Sequence, residues 1–119
     1  MEGRILIADD WRFLRRLYRS ILAGKFPTLQ IDEVSSGSEL VDRATAQAYA
    51  VIISDNDMLG GTGLEALRAL RSQGNATPFY MVSSDDEKSA QVMAAGAQGF
   101  LLKPFRNREL IDLVERYLK

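Results

Sequence analysis

The stretch Arg4-Ile-Leu-Ile-Ala-Asp-Asp10 places an unbroken apolar run directly before two acidic residues. An apolar run of this length, without alternating polar residues, predicts a strand that is buried on both faces, as in parallel sheets. The two aspartates predict a polar turn at the carboxyl end of that strand. Ligands of open α/β sheets bind outside the carboxyl ends of the strands. The stretch therefore favours a parallel sheet with its functional site at this edge.

The alternation of strand and helix continues along the chain. Four more strands are predicted at 30–34, 50–53, 79–82 and 100–102. The apolar positions of the helices are Phe13, Leu14, Leu17, Tyr18, Ile21, Leu22, Leu40, Val41, Ala44, Ala48, Leu64, Leu67, Leu70, Leu110, Ile111, Val114 and Leu118. Five strands that alternate with five helices predict an α/β fold, a three-layer (βα)5 doubly wound parallel sheet with right-handed crossovers. We expect one domain over residues 1–119.

Helix ends are predicted from capping residues and glycines. Ser36 or Ser38 starts the second helix. Ser84 and Glu87 have the spacing of a capping box, which predicts the start of the fourth helix. Gly24, Gly74 and Gly96 are expected to end the first, third and fourth helices.

The composition excludes several classes of site. The chain has 119 residues, a formal net charge of -1, and neither cysteine nor histidine. Without these two residue types there is no disulfide, no Ser-His-Asp or papain-like catalytic site and no ordinary zinc site. The charge gives no reason for direct binding to nucleic acid or to a membrane, and no run reaches the roughly 20 apolar residues of a membrane span. We therefore expect a cytoplasmic protein whose site uses carboxylate, hydroxyl and amine groups.

Chemically useful side chains follow four of the predicted strands. They are Asp9, Asp10, Asp55, Ser83, Ser84 and Lys103. Each has an ordinary structural explanation when taken alone, as a helix cap, a turn residue or a solvated charge. Together they favour a site, because three carboxylates at one edge would repel each other and raise their pKa values unless a cation compensates them.

Mg²⁺ fits these carboxylates because it takes oxygen ligands and commonly bridges them to a phosphoryl group. Lys103 could neutralise one phosphoryl oxygen, and the hydroxyl of Ser83 could donate a hydrogen bond to another. Carboxylates are known nucleophiles in phosphoryl transfer, and Asp55 follows the central strand. The residues therefore predict an aspartyl phosphate on Asp55, with Asp55, Ser83 and Lys103 as the catalytic residues.

Four motifs in order resemble the receiver domains of two-component response regulators, and the resemblance covers the whole chain. The motifs are Asp9-Asp10, Asp55-Asn56-Asp57-Met58 followed by Gly63, Ser83-Ser84, and Lys103-Pro104-Phe105. Leu14-Arg15-Arg16 and Ile52-Ile53-Ser54-Asp55 make the chain most similar to chemotaxis regulators of the CheY type. The resemblance implies a flavodoxin-like, CheY-like sheet with strand order 2-1-3-4-5.

The resemblance also implies how the site works. Asp55 would accept a phosphoryl group from a phosphohistidine on a sensor histidine kinase or a phosphotransfer protein. The implied Mg²⁺ ligands are Asp10, Asp55 and the main-chain carbonyl of Asp57, with Asp9 acting through a bound water. The implied phosphoryl-binding groups are Ser83, Lys103 and backbone amides near Asp57 and Ser84.

Phosphorylation would then draw Ser83 inward and let Phe100 repack. This pair of switch residues would change the face formed by helix four, strand five and helix five, which a downstream effector protein reads. The chain would be a phosphoacceptor switch that promotes only its own phosphorylation and dephosphorylation, with chemotaxis as one setting.

Some residues depart from the family pattern. Leu59 stands where proline is usual, so the loop after Asp55 is expected to be less rigid. Trp11 is large, and either it crowds the metal pocket or its ring packs partly buried on helix one. A basic stripe on helix one either forms a solvated face or contacts an acidic surface of the kinase; its residues are Arg12, Arg15, Arg16 and Arg19.

Two other functions compete with a stand-alone receiver. A haloacid-dehalogenase-like phosphatase also has a nucleophilic aspartate followed two residues later by an acid-base aspartate, as Asp55 and Asp57 are spaced. That motif normally follows the first strand, whereas here it follows the third. The other alternative is a receiver fragment of a larger transcriptional or enzymatic regulator.

Overall fold

The computed structural model describes residues 3–118. Its strands are β1 (Arg4–Ala8), β2 (Gln30–Val34), β3 (Val51–Asp55), β4 (Phe79–Ser83) and β5 (Gly99–Leu102). Its α-helices are α1 (Arg12–Lys25), α2 (Gly37–Ala46), α3 (Gly63–Ser72), α4 (Ser89–Ala94) and α5 (Asn107–Glu115). Strands and helices alternate, as the apolar pattern predicts. Within the described residues, none of the helices has the length and apolar character to cross a bilayer.

The strands form one parallel sheet in the order β2-β1-β3-β4-β5, which confirms the expected fold. β1 and β3 are neighbours, with Ala8 in register with Ser54. β4 lies on the other side of β3, with Val82 in register with Asp55. The carboxyl ends of β1, β3 and β4 are therefore level with each other, which places the residues that follow them at one edge.

Two hydrophobic clusters lie on opposite faces of the sheet. One contains Leu6 and Ile52 from the sheet with buried side chains of α2, α3 and α4, such as Leu40 and Leu67. The other contains alternate residues of the same strands with buried side chains of α1 and α5, such as Leu22 and Leu110. Because neighbouring strand residues point to opposite faces, the continuous apolar strands fill both clusters.

The buried face of α1 is narrower than its set of apolar residues. Tyr18 and Leu22 are buried, but Phe13 and Leu17 are among the exposed large hydrophobic residues. The apolar spacing therefore identified the helix correctly, although not all of these residues belong to the core. Only one stripe of a surface helix can contact the sheet, and residues at the margin of an apolar stripe remain in solvent.

Several predicted ends were wrong. β3 and β4 extend to Asp55 and Ser83, so these residues end their strands instead of following them. α2 begins after Ser36, whose side chain accepts a hydrogen bond from the Glu39 amide, and it ends at Ala46, so Ala48 lies outside it.

The predicted capping box at Ser84 is absent from the structure. The side chain of Asp85 instead accepts a hydrogen bond from the Glu87 amide, and a 3-10 turn, Asp86–Lys88, precedes α4. Ser83, Ser84, Asp85 and Asp86 are four consecutive residues of types that can cap a helix, and spacing alone selected the wrong one.

Candidate functional site

Asp9 lies at the carboxyl end of β1 and is only 2% exposed. Its Oδ1 atom accepts a hydrogen bond of 2.9 Å from the Trp11 amide. Its Oδ2 atom is, within residues 3–118, the one buried side-chain nitrogen or oxygen without a hydrogen-bond partner. A buried carboxylate oxygen without a donor is unfavourable unless a cation compensates it.

Asp10 and Asp55 complete an acidic cluster around Asp9. One carboxylate oxygen from each of the three residues lies within 4.8 Å of the others. Asp10 is exposed, and it does not cap α1, which begins after Trp11 without a side-chain cap. Three oxygen ligands, one of them free and buried, fit Mg²⁺, which takes oxygen ligands and retains several waters.

Lys103 is the cation that the structure places beside this cluster. Its Nζ atom lies 2.9 Å from Asp55 Oδ1 and 4.0 Å from Asp9 Oδ2. Burial raises the pKa of Asp55 above its ordinary value, and the hydrogen bond from Lys103 offsets only part of that effect. Burial likewise raises the pKa of Asp9, against the opposing effects of the Trp11 amide and Lys103. The ammonium group of Lys103 therefore does not fully offset the cost of burying the two carboxylates.

Ser83 and Ser84 lie beside Asp55 at the end of β4. Ser83 is 1% exposed, and its Oγ atom accepts a hydrogen bond of 3.1 Å from the Asp85 amide. The Ser83 carbonyl accepts a hydrogen bond of 2.8 Å from the Lys103 amide, which links the ends of β4 and β5. Ser84 is exposed.

The loop after β3 is fixed by Asn56, to which the sequence analysis gave no role. Its amide donates to the Val82 carbonyl, and its side-chain Oδ1 accepts from the Leu64 amide at 3.0 Å. The Gly63 amide donates to the Asn56 carbonyl at 2.9 Å. Asparagine is common in turns because its side chain bonds to nearby main chain, and this general property was the only sequence signal.

Glycine is required at position 63 because the main chain there lies very close to Asp55. A Cβ atom at this position would lie 2.5 Å from the Asp55 carbonyl oxygen and 2.7 Å from Met81 Sδ. Thr62 and Glu65 form a capping box at the start of α3, and their spacing could have predicted it. The start of α3 therefore packs directly against the end of β3.

Four other residues that the sequence singled out are not members of the acidic cluster. Asp57 and Leu59 are exposed in the loop after β3, with Leu59 81% exposed, and the carboxylate of Asp57 is outside the three-residue cluster. Phe100 is half-buried and packs against the hydrophobic cluster that the sheet forms with α2, α3 and α4. Trp11 is 58% exposed, so part of its surface is covered by other residues.

The Trp11 ring contacts that of Phe13, with centroids 5.6 Å apart. It also lines a cleft of about 460 Å³ together with Tyr18, Lys103 and Phe105. The ring therefore lines the same cleft as Lys103.

The basic stripe of α1 is not a simple solvated face. Arg15, Arg16 and Arg19 all form ion pairs with Glu33 of β2, at 3.1 Å for Arg15 and 3.8 Å for Arg16. Sequence reasoning missed this acidic partner because residues 18 positions apart, such as Arg15 and Glu33, are joined only by the fold.

The chain matches, over residues 5–115, the family described as response regulator receiver domain. It belongs to the receiver-domain family of two-component response regulators. Receiver domains are phosphoacceptor switches that work with histidine kinases and effector domains, and they generally bind Mg²⁺ at an acidic pocket. This membership overturns the alternative of a haloacid-dehalogenase-like phosphatase.

Among its relatives, the receiver domain is similar to the transcriptional regulatory protein ResD of Bacillus subtilis, with 32% identity over 99% of this chain and 49% of ResD. It is similar in structure to the chemotaxis response regulator CheY4 of Vibrio cholerae, with a TM-score of 0.87, 30% identity and coverage of 99% of this chain and 100% of CheY4. The receiver domain of the Francisella response regulator 1452 has a TM-score of 0.88 and 25% identity, with coverage of 97% and 95%. The chain thus spans about half the length of ResD.

Proposed function

We propose that this receiver domain accepts a phosphoryl group on Asp55 in a Mg²⁺-dependent reaction. The observation that supports the proposal best is the pairing of Lys103 Nζ with Asp55 Oδ1 at 2.9 Å, beside the buried, unpartnered Oδ2 of Asp9. The three carboxylates would hold the cation with the Asp57 carbonyl, Asp9 acting through water, and Lys103 would neutralise one phosphoryl oxygen. These are the groups that phosphoryl transfer to a carboxylate needs.

The donor is proposed to be a phosphohistidine on a sensor histidine kinase or a phosphotransfer protein. A carboxylate oxygen of Asp55 forms the new P–O bond as the P–N bond to the donor imidazole breaks. The imidazole leaves with the electron pair of that bond and takes up a proton from solvent. Bound Mg²⁺ would neutralise negative charge between the carboxylates and the phosphoryl oxygens, while the Ser83 hydroxyl and the amides near Asp57 and Ser84 donate hydrogen bonds to those oxygens.

The phosphoryl group is proposed to change the face formed by α4, β5 and α5 through Ser83 and Phe100. The Ser83 hydroxyl now accepts a hydrogen bond from the Asp85 amide. It would reorient in order to donate a hydrogen bond to a phosphoryl oxygen. Phe100 lies in register with Met81, two residues before Ser83 on the neighbouring strand. Exposed Met93 of α4 and Leu102 of β5 give this face apolar area that a downstream effector protein can bury.

Two cellular settings follow from the relatives. Similarity to the chemotaxis response regulator CheY4 supports chemotaxis as the process, with residues 1–119 as one receiver domain. Similarity to ResD over half its length supports a receiver that belongs to a longer transcriptional regulator. In both settings we propose a cytoplasmic location and action through protein contacts, without direct binding of this domain to nucleic acid or membrane.

The exposed part of the basic stripe is proposed to contact an acidic surface of the kinase. Arg15 is largely buried against Glu33, whereas the side chain of Arg16 is 59% exposed and Arg12 is also exposed. Replacing Arg12 and Arg16 by Glu should therefore slow phosphotransfer from the cognate kinase without slowing labelling by a small phosphodonor. Equal rates from the kinase for this variant and the wild type would contradict the proposal.

Trp11 fluorescence can test the proposed function, because Trp11 is the only tryptophan and its ring lines the cleft beside Lys103. The protein is titrated with MgCl₂ and then with beryllofluoride, which mimics a phosphoryl group on a carboxylate. We expect a beryllofluoride response that requires Mg²⁺ and is lost in Asp55→Asn. A response that persists in this variant would contradict the assignment of Asp55 as acceptor.

A further inference from the structure

Asp9 is held at three of its four polar atoms. Its amide donates to the Val34 carbonyl at 3.1 Å, and its Oδ1 accepts from the Trp11 amide at 2.9 Å. Its main-chain carbonyl accepts a hydrogen bond of 2.6 Å from Arg15 Nη1. The remaining polar atom is the unpartnered Oδ2, which belongs to the acidic cluster. The position of Oδ2 therefore depends on the groups that hold the rest of the residue.

Arg15 is itself fixed by a residue of the neighbouring strand. Its Nε atom donates to Glu33 Oε1 at 3.1 Å, and both side chains are only 14% exposed. The second oxygen of Glu33 is bound by Arg19, whose Nη2 also donates to the Ile31 carbonyl at 2.7 Å. A guanidinium group is planar and holds its donors in a fixed arrangement, so contacts at both ends determine its orientation.

We propose that Arg15 and Glu33 are positioning residues that hold the main chain of Asp9 so that its Oδ2 faces the bound divalent cation. The inference rests on the proposed Mg²⁺-dependent function of the same site. Residues that orient the ligands of a metal typically change its affinity about 10- to 100-fold when they are replaced. The contact from Arg15 to the Asp9 carbonyl gives the arginine–glutamate pair a direct connection to a proposed ligand.

The two residues should also be coupled. Without Glu33, Arg15 keeps its charge next to the acidic cluster and becomes free to pair with those carboxylates in place of the cation. Glu33→Gln should therefore weaken cation binding at least as much as Arg15→Met does. In the double variant the competing guanidinium is absent, so its affinity should equal that of Arg15→Met alone and not the product of the two effects.

Asp32→Asn provides a matched control. Asp32 is the neighbouring residue on β2 and also binds two arginines, Arg4 at 3.2 Å and Arg43 at 3.6 Å, together with the hydroxyl of Tyr49. Its interactions stabilise the same edge strand but do not include the main chain of Asp9. A second comparison is Arg15→Lys, which keeps the charge but replaces the fixed fork by one ammonium group.

The experiment is a MgCl₂ titration of Trp11 fluorescence at constant ionic strength, with urea unfolding in EDTA as a separate measure of stability. We expect the Kd for Mg²⁺ to rise about tenfold in Glu33→Gln, Arg15→Met and Arg15→Lys. Asp32→Asn should keep the wild-type Kd within about twofold even where it lowers stability to a similar extent.

Three outcomes would overturn the inference. Wild-type Kd values in Glu33→Gln and Arg15→Met would show that the pair stabilises the fold alone. An equal rise in Asp32→Asn would show that the edge strand as a whole controls the site. If the wild type binds neither Mg²⁺ nor Mn²⁺, the latter measured from the free-ion signal in electron paramagnetic resonance, the proposed metal-dependent function fails together with the inference.

Discussion

Lys103 Nζ lies 2.9 Å from Asp55 Oδ1, although the two residues are 48 positions apart in the chain. The contact joins the ends of β3 and β5, between which β4 ends at Ser83. The pairing neutralises Asp55 in part and keeps an ammonium group at the place where a phosphoryl oxygen would arrive. It therefore connects the fold with the proposed chemistry.

Replacing Lys103 by Met should slow the labelling of Asp55 by a small acyl phosphate donor about a hundredfold at saturating Mg²⁺. The reason is that one charged donor to the transferring group is lost. The rate is measured by intact-mass spectrometry over time. Lys25→Met, which removes a lysine from the last turn of α1, should label at the wild-type rate. Equal rates for both variants would show that Lys103 does not act on the phosphoryl group.

Asp55→Asn should raise the free energy of unfolding in EDTA by about 1 kcal/mol, because it removes a charge that burial and the neighbouring Asp9 disfavour. Mg²⁺ should reverse the order of the two proteins. At ten times its Kd the ion should stabilise the wild type by about 1.4 kcal/mol and the variant much less. Urea unfolding with EDTA or MgCl₂ measures both effects. Equal stabilisation of wild type and variant by Mg²⁺ would place the ion elsewhere.

Gly63→Ala should lower the free energy of unfolding by about 2 kcal/mol, because its Cβ would overlap the Asp55 carbonyl and Met81 Sδ. It should also slow labelling, since the clash displaces the main chain of the acceptor. Gly24→Ala is the control, because a Cβ there meets nothing within 4 Å and alanine favours the helical conformation of α1. Thermal unfolding of both variants decides the comparison, and a stable, fully active Gly63→Ala protein would contradict it.

Glu33 should make the stability depend on pH. Partial burial raises the pKa of Glu33, but hydrogen bonds from Arg19 and Arg15 outweigh this and hold it below its ordinary value of 4.5. Because the unfolded chain then binds the proton more readily, the contribution of Glu33 is present above pH 4.5 and is lost as the pH falls through the lower, folded-state pKa. Glu33→Gln should therefore lose less stability than the wild type between neutral and acidic pH in urea unfolding. Equal losses of stability in the wild type and Glu33→Gln would contradict a stabilising pairing of Glu33 with Arg15 and Arg19.

The fold could be predicted from the sequence because β1, β3, β4 and β5 are short, mainly apolar runs followed by polar turns, whereas β2 is more polar. Arg4–Ala8 and Gln30–Val34 were predicted to the residue. The helix faces were less certain from spacing alone, since a helix such as α1 can carry more apolar residues than its contact with the sheet can cover. Phe13 and Leu17 remained in solvent for this reason.

The residues of the candidate site could be predicted from the sequence, but the side-chain contacts that hold them could not. Parallel strands bring their carboxyl ends to one edge, so the positions of Asp9, Asp55, Ser83 and Lys103 followed from the strand assignments. The ion pair of Arg15 with Glu33 could not be predicted in this way, because local spacing carries no information on which side chains of a helix and a distant strand meet. The start of α4 was predicted wrongly for a different reason, since several neighbouring polar residues could each cap the helix.

Labelling by a small phosphodonor can show whether Asp55 accepts a phosphoryl group. The protein is incubated with a small acyl phosphate donor in MgCl₂ or EDTA, and intact-mass and peptide mass spectrometry locate any phosphoryl group. We expect at most one phosphoryl group per chain, located on Asp55. It should appear only with Mg²⁺, and hydroxylamine should release it, as it releases acyl phosphates. Asp42→Asn, which changes an exposed carboxylate of α2, should label normally, whereas Asp55→Asn should not label. Labelling that persists in Asp55→Asn, or that proceeds equally in EDTA, would contradict the account.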